Sequence, residues 1–287
     1  MEAEKILEKT QEVAMQLTQA RCNKAPVAQW SQSGVTISRA EAYQIQRLGV
    51  EHRLQQGEIR IGFKMGLTSE GKRKQMNLDT PLYGELTQKM QIENNSAFDM
   101  SSLIHPKIEP EIAFKIKNTI TGRLTKEEAL KNITHIAAGM EILDSRYQQF
   151  KYFSMEDVIA DNSSSSHFIL GSWVPFESPR QWEKSRLELY MDGKLVQSGE
   201  AKEISGDPIQ SIVELSNLLT QNQRILEAGS IVLAGAATAA VELKPGQNFK
   251  MQVHSPFGGI TSDSEWEWPL VKLQIEGSLK SNPKEGN

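Results

Sequence analysis

The sequence predicts an α+β fold, helical towards the N-terminus and strand-rich beyond it, and three observations predict this. Residues 2 to 20 carry Ile6, Leu7, Val13, Ala14 and Leu17 near helical spacing, with no Gly or Pro between them. Ser38-Arg39-Ala40-Glu41 is a capping box, which satisfies two free amide donors at a helix start; that helix runs to about Gln56 and stops at Gly57. Leu187 to Met191 and Lys194 to Val196 flank Asp192-Gly193, the two-residue link of a type I′ hairpin. A boundary near residue 90 is expected, dividing an α-rich region (1–90) from a β-rich domain (91–277), followed by a polar tail (278–287).

The remaining elements follow in order. Residues 21 to 37 form a loop, and Arg60 to Leu67 a short apolar strand carrying Lys64 between Gly62 and Gly66. Residues 68 to 84 give a polar helical turn and then a loop around Pro81; residues 94 to 99 give a second loop. His105 to Phe114 is a strand. A second capping box, Thr125-Lys126-Glu127-Glu128, opens a helix through Ala129, Leu130, Ile133 and Ile136. Ala137 to Leu143 is small and apolar except for Glu141, and residues 157 to 170 place Asp161, Asn162 and four serines between two apolar runs. Asp207-Pro208 is an N-cap with a first-turn proline. Strands are expected at 231–233, 249–253 and 271–275, and the small residues 234 to 240 allow backbone to approach a ligand.

Composition narrows the function classes. The 287 residues are 38% hydrophobic and 24% charged, ordinary for a globular protein. A net charge of -4 with both signs interspersed leaves no basic footprint for nucleic acid. The single cysteine, Cys22, excludes an internal disulfide framework and a cysteine-rich zinc site. No run of 18 apolar residues is present, and Met1 to Glu8 is charged, so neither a membrane span nor a signal peptide is expected. A cytoplasmic protein is the expectation.

The chemistry concentrates in Ile108 to Phe114. Along a strand, side chains alternate, so Glu109 and Glu111 share one face roughly 7 Å apart. Two readings are open: a solvated strand face, or a pair of oxygen ligands for a hard divalent cation. Glu141 adds a third carboxylate, since a charge inside an apolar stretch needs a partner or a cation unless it stands at a strand end in water. Lys64 is either a surface lysine or, desolvated by Phe63, Met65 and Leu67, an acid/base group. The Asp161–Ser166 turn is either a plain loop or a set of donors for an anionic ligand. No zinc helix, P-loop, serine elbow or dinucleotide fingerprint is present, which leaves an all-oxygen Mg²⁺ or Mn²⁺ site as the metal option.

Four segments together resemble the fumarylacetoacetate hydrolase superfamily, in its branch of 2-oxopent-4-enoate hydratases and 2-oxo-3-hexenedioate (4-oxalocrotonate) decarboxylases. They are Lys64-Met65-Gly66-Leu67-Thr68-Ser69, Ile104 to Glu111, Glu141-Ile142-Leu143-Asp144-Ser145-Arg146-Tyr147, and Ala160 to Ser165. The resemblance implies a mixed β-sandwich roll with a helical N-terminal region. It implies that Glu109, Glu111 and Glu141 ligate Mg²⁺ or Mn²⁺, that Lys64 is the acid/base or positioning group, and that Arg146 belongs to the catalytic set. Asp161, Ser163 or Ser164, and Thr238 are implied in substrate binding. The hydratases typically read Pro-Asp-Phe-Gly where this chain has Pro81-Leu82-Tyr83-Gly84; leucine cannot move protons, so Leu82 implies the decarboxylase, with the hydratase itself or a non-catalytic partner subunit of the hydratase as the alternatives. The family also implies a homo-oligomer and a complex with the hydratase. One departure is Ala234-Gly235-Ala236, where the family more often has a Thr-Gly-Gly type sequence.

Overall fold

Two helices open the chain, α1 (Glu2–Asn23) and α2 (Arg39–Gln55). The capping box of α2 is formed: the Ser38 amide donates to Glu41 Oε2 at 2.8 Å, and the Glu41 amide donates back to the Ser38 hydroxyl. The structure, a computed structural model, describes residues 2–34, 36–69, 73, 80–150, 154–256 and 266–277. The polar helical turn expected within 68–84 lies largely, and the tail 278–287 wholly, outside those residues.

The main sheet contains β1 (Arg60–Gly66), β2 (Leu82–Thr87), β3 (Gln91–Ile92), β5 (Lys107–Ile116), β6 (Ile133–Leu143), β7 (Ser165–Leu170) and β11 (Ile231–Ala236), in the order β2-β1-β11-β5-β6-β7-β3. β12 (Val241–Glu242) adds to β5, and β8 (Val174–Pro175) to β6. The two ends of that order, β2 and β3, are joined in the chain by a single 3₁₀ turn, Gln88–Met90, so the sheet curls into a roll. Leu86, Met90, Ala113, Ala137, Phe168 and Leu233 pack together on its inner face. The outer face, with Ile108, Ile112, Phe114, Met140 and Ile142, joins a larger core.

The larger core is shared with a second sheet. It contains β4 (Ser96–Asp99), β9 (Arg186–Met191), β10 (Lys194–Glu200), β13 (Asn248–Ser255) and β15 (Val271–Glu276), in the order β10-β9-β13-β15-β4, with β14 (Trp266–Glu267) on β13. The β9–β10 hairpin turns at Asp192 and Gly193, both at positive φ (50° and 78°), as its Asp-Gly link requires. Among the described residues three shorter helices follow: α3 (Lys126–Lys131), α4 (Met155–Ala160) and α5 (Pro208–Gln221). Among the described residues, no helix is long and apolar enough to cross a membrane.

Three local expectations are corrected. Leu82 to Gly84, expected in a loop, begin β2, and Pro81 stands just outside the strand, where its missing donor costs nothing. Ser96 to Asp99 form β4, which shortens the expected loop at 94–99 to a turn. The capping box at Thr125 is formed, but α3 ends at Lys131. The Asn132 side-chain Nδ2 donates to Glu128 O there and its backbone amide to Ala129 O, and the β-branched Ile133, Thr134 and Ile136 pair with β5 instead. β1 and β2 hydrogen-bond into the same sheet as β5 to β7.

Candidate metal centre

β5 and β6 are antiparallel, and their register sets Glu109 directly opposite Glu141 and Glu111 opposite Gly139. The pleat turns all three carboxylates to the inner face of the roll and Pro110 away from it. Carboxylate oxygens of Glu109, Glu111 and Glu141 lie within 4.8 Å of one another. Glu111 and Glu141 are fully buried (0% exposed) and Glu109 is half-buried. Like charges directly opposite on a sheet repel. Burial, reinforced by the charges of Glu141 and Glu109, pushes the Glu111 carboxyl well above the usual carboxylate range.

The surroundings satisfy these oxygens unevenly. Glu141 accepts from Ser165 Oγ at 2.8 Å and from Lys64 Nζ at 3.3 Å. Glu111 Oε2 accepts from the Gly235 amide at 2.9 Å. Gly235 has φ 106°, and a Cβ there would sit 2.4 Å from Thr68 Oγ1, so only glycine brings this amide so close. Glu111 Oε1 is buried with no partner among the described residues. An orphaned buried oxygen among three carboxylates fits a hard divalent cation, which takes oxygen ligands.

Lys64 is placed by β1, which runs parallel to β11, and is only 2% exposed. Gly84 lies opposite it on β2, and a Cβ there would meet Asn162 O at 2.7 Å and Lys64 Cε at 3.3 Å. A cavity of about 370 Å³ opens over Lys64 and Glu109, walled by Leu82, Leu143, Val158, Phe150, Lys107 and Ser163. Ser163 presents itself from a turn in which Asn162, Ser163 and Ser164 all have φ between 50° and 55°. Asn162 docks that turn on β2 in the manner of a strand: its Oδ1 accepts from the Glu85 amide at 2.8 Å and its Nδ2 donates to Glu85 O at 3.0 Å.

The structure therefore gathers Lys64, Leu82, Glu109, Glu111, Glu141 and Ser163 at one place. Four other expected site residues are not brought to the cavity wall. Arg146 and Asp161 pair with each other: the Arg146 amide and Nε donate to the Asp161 carboxylate, and Nη1 donates to Asp144 O and Ser165 O. This buried pair braces the turn from behind; burial pushes the Asp161 carboxyl up to about 6 even though Arg146 pulls it down. Ser164 is engaged through its carbonyl, which accepts from the Asp144 amide at 2.8 Å. Thr238 donates to Ala239 O at 3.1 Å, beside the cavity-lining Ala239 and Ala240.

Sequence reasoning missed Ser165 as the partner of Glu141, and Lys107 and Phe150 at the cavity mouth, where Lys107 Nζ lies 4.3 Å from the Phe150 ring centroid. Lys107 had a signal, since alternation along β5 puts it on the face of Glu109 and Glu111. Ser165 belongs to the serine run singled out above, but nothing local shows that, at the start of β7, it faces Glu141; Phe150 had no such signal.

A closed roll with three carboxylates and a buried lysine at one end defines a class of acidic sites suited to divalent metal chemistry. Residues 72–262 match the fumarylacetoacetate (FAA) hydrolase C-terminal family, and the chain belongs to the fumarylacetoacetate hydrolase family. It is 40% identical over 250 residues to a 4-oxalocrotonate decarboxylase of a Pseudomonas species, a match spanning 86% of this chain and 95% of the relative. It is 29% identical over 258 residues to a 2-keto-4-pentenoate hydratase of Paraburkholderia xenovorans, spanning 89% and 94%. Among solved structures, it is similar to the 4-oxalocrotonate decarboxylase of Pseudomonas putida complexed with magnesium and adipate. That likeness has a TM-score of 0.84 at 28% identity and covers 93% of this chain and 97% of the other.

Proposed function

We propose that this chain is a divalent-metal-dependent carboxy-lyase that converts 2-oxo-3-hexenedioate (4-oxalocrotonate) to 2-hydroxypenta-2,4-dienoate and CO₂, a step in the breakdown of aromatic compounds. The observation that carries this reading is the cavity itself: Lys64 and Glu109, the latter grouped with Glu111 and Glu141, line it together with an apolar Leu82. An acid at that position would serve hydration. The decarboxylase named above, 40% identical over most of both chains, supports the same reading.

Glu109, Glu111 and Glu141 would hold Mg²⁺ or Mn²⁺, and the ion, when bound, supplies Lewis-acid stabilisation of negative charge on the substrate's 2-oxo oxygen. Cleavage of the C5–C6 bond releases CO₂; its electron pair forms the C4–C5 double bond, the C3–C4 pair moves to C2–C3, and the 2-oxo oxygen takes the charge. Lys64 Nζ, held by Glu141, delivers a proton to that oxygen, leaving the neutral dienol, and recovers it from solvent. The Ser163 hydroxyl, now on Tyr83 O at 2.6 Å, turns to the C1 carboxylate. Leu82, Leu143 and Val158 make a poor environment for the C6 carboxylate and a better one for neutral CO₂. Arg146 and Asp161 act as a positioning pair for the turn that carries Ser163.

The test is CO₂ release from 2-oxo-3-hexenedioate with and without exhaustive chelation, in the wild type and in Glu109→Gln. Activity is expected only with metal and only in the wild type; full activity after chelation would overturn the reading. Water addition to 2-hydroxypenta-2,4-dienoate is measured on the same sample, and a dominant rate there would make the chain a hydratase. A homo-oligomeric, cytoplasmic enzyme that hands its unstable dienol to a hydratase completes the proposal. Sedimentation of the chain alone and mixed with a hydratase checks the assembly.

A further inference from the structure

A second cavity, of about 130 Å³, lies behind the 161–165 turn, between that turn and the facing sides of α1 and α2. Three guanidinium groups line it: Arg21 from the last turn of α1, Arg53 from the last turn of α2, and Arg146. Two of them are matched. Arg53 donates to Glu58 Oε2 through Nε and Nη2, at 3.1 and 2.7 Å, and to Thr87 Oγ1 at 2.6 Å. Arg146 holds Asp161. Arg21 makes no hydrogen bond or ion pair among the described residues. Three arginines face two carboxylates in this wall, Glu58 and Asp161, and Arg21, which Glu58 attracts from beyond ion-pair distance, is the one whose donors are not engaged among the described residues.

The charge of Arg21 is held at a cost. Arg21 is half-buried, and its lost hydration, followed by the repulsion of Arg53 and Arg146 and opposed by Glu58, lowers it to about 9. The adjoining Cys22 is exposed, so water lies close to this turn of α1, yet the Arg21 side chain lines the cavity. Most other polar side chains of the wall are already engaged: Thr18 donates to Ala14 O, Gln46 to Tyr83 O and Ile159 O, and Ser165 to Glu141. The open donors are those of the guanidinium fork, whose geometry matches a carboxylate or phosphate. The volume is that of a few water molecules at ~30 Å³ each, suited to a small oxyanion and not to a large ligand.

We propose that this cavity is an oxyanion site, separate from the acidic centre, which takes a carboxylate or phosphate group with Arg21 as its principal donor. The bound anion ties α1 to the turn that carries Ser163 and Ser165.

The experiment uses the full chain after chelation, so that the acidic triad takes no part. It is titrated with inorganic phosphate in one arm and acetate in the other, at ionic strength held constant with chloride. Binding is followed by calorimetry and by the unfolding midpoint. Wild type and Glu109→Gln are expected to bind saturably with a matching rise in midpoint, and Arg21→Gln to bind at least tenfold more weakly. Saturation by phosphate alone identifies a phosphate group, and saturation by both identifies a general carboxylate or phosphate site. Should Arg21→Gln not fold, Arg21→Lys, which keeps the charge and loses the fork, is expected to bind more weakly than wild type. Absence of saturation in both arms, or equal binding by wild type and the Arg21 variant, overturns the proposal. So does self-association that Arg21→Gln abolishes while neither anion has an effect, since a second copy then covers Arg21.

Discussion

Glu111 carries a sharp conflict: a fully buried carboxylate beside two others, with one oxygen unpartnered among the described residues. Glu111→Gln removes that repulsion, so the metal-free variant is expected to unfold at a higher midpoint than the metal-free wild type. Mg²⁺ is expected to stabilise only the wild type, by about 2.7 kcal/mol at a hundredfold excess over its dissociation constant. Lys64→Met keeps the stem and removes the proton, and an expected fall in kcat of about 10²–10⁴ is read in the CO₂ assay. Leu82→Asp sets an acid in the apolar wall; slower decarboxylation and new hydration are expected, and unchanged decarboxylation without hydration would discard the wall's role. His167 reports a different balance. Burial first, then the charges of Arg21 and Arg53 and, more weakly, Arg146, with Glu58 opposing, lower it from its ordinary 6.5 to about 3. Between those values the unfolded chain binds the proton that the folded chain refuses, so stability is complete above about pH 6.5 and falls as pH drops towards 3. Denaturant unfolding from pH 7 to 4 checks the slope, which His167→Phe is expected to flatten. At this scale the sequence was informative wherever alternation or a lone charge in an apolar run marks a residue, as for Glu109, Glu111, Glu141 and Lys64. It was silent on Arg146 with Asp161, whose pairing depends on how a turn folds back.

The element that organises the site is the turn from Asp161 to Ser165. Three successive residues at positive φ are unfavourable for side chains other than glycine, and the turn persists because Asn162 pins it to β2 and Arg146 pins it from behind. Arg146→Met would strand Asp161 as a buried, unpaired carboxylate, and a loss of about 3–5 kcal/mol is expected in urea unfolding. A residue acting only on bound substrate would instead change the kinetics and leave that stability intact. Capping boxes at Ser38 and Thr125, the Asp-Gly hairpin and the Asp207 cap were all legible, because each is settled by residues within one turn of each other. The end of α3 and the start of β2 were not, since Ile133 and Leu82 take their structure from strands distant in sequence.

At the scale of the whole molecule, β1 and β11 form the joint between the start and the end of the chain. Their contact is close: a Cβ at Gly62 would lie 1.9 Å from Ile231 O. Gly62→Ala is therefore expected to destabilise by about 1–3 kcal/mol or more and to lower metal affinity with it, as measured by unfolding and metal titration. The sequence announced strands at both ends of this joint but not that they are neighbours, because pairing across so long a separation leaves no local mark. The joint also sets a timetable. The three carboxylates have all been synthesised once residue 141 is made, whereas the amide that receives Glu111 belongs to Gly235, on the strand that also holds β1 in place. A growing chain thus carries its most mutually repulsive residues well before the strand that completes their cradle. Contacts so remote in sequence are slow to form, so metal uptake during refolding should lag behind the appearance of secondary structure and mark the moment when β1 and β11 meet.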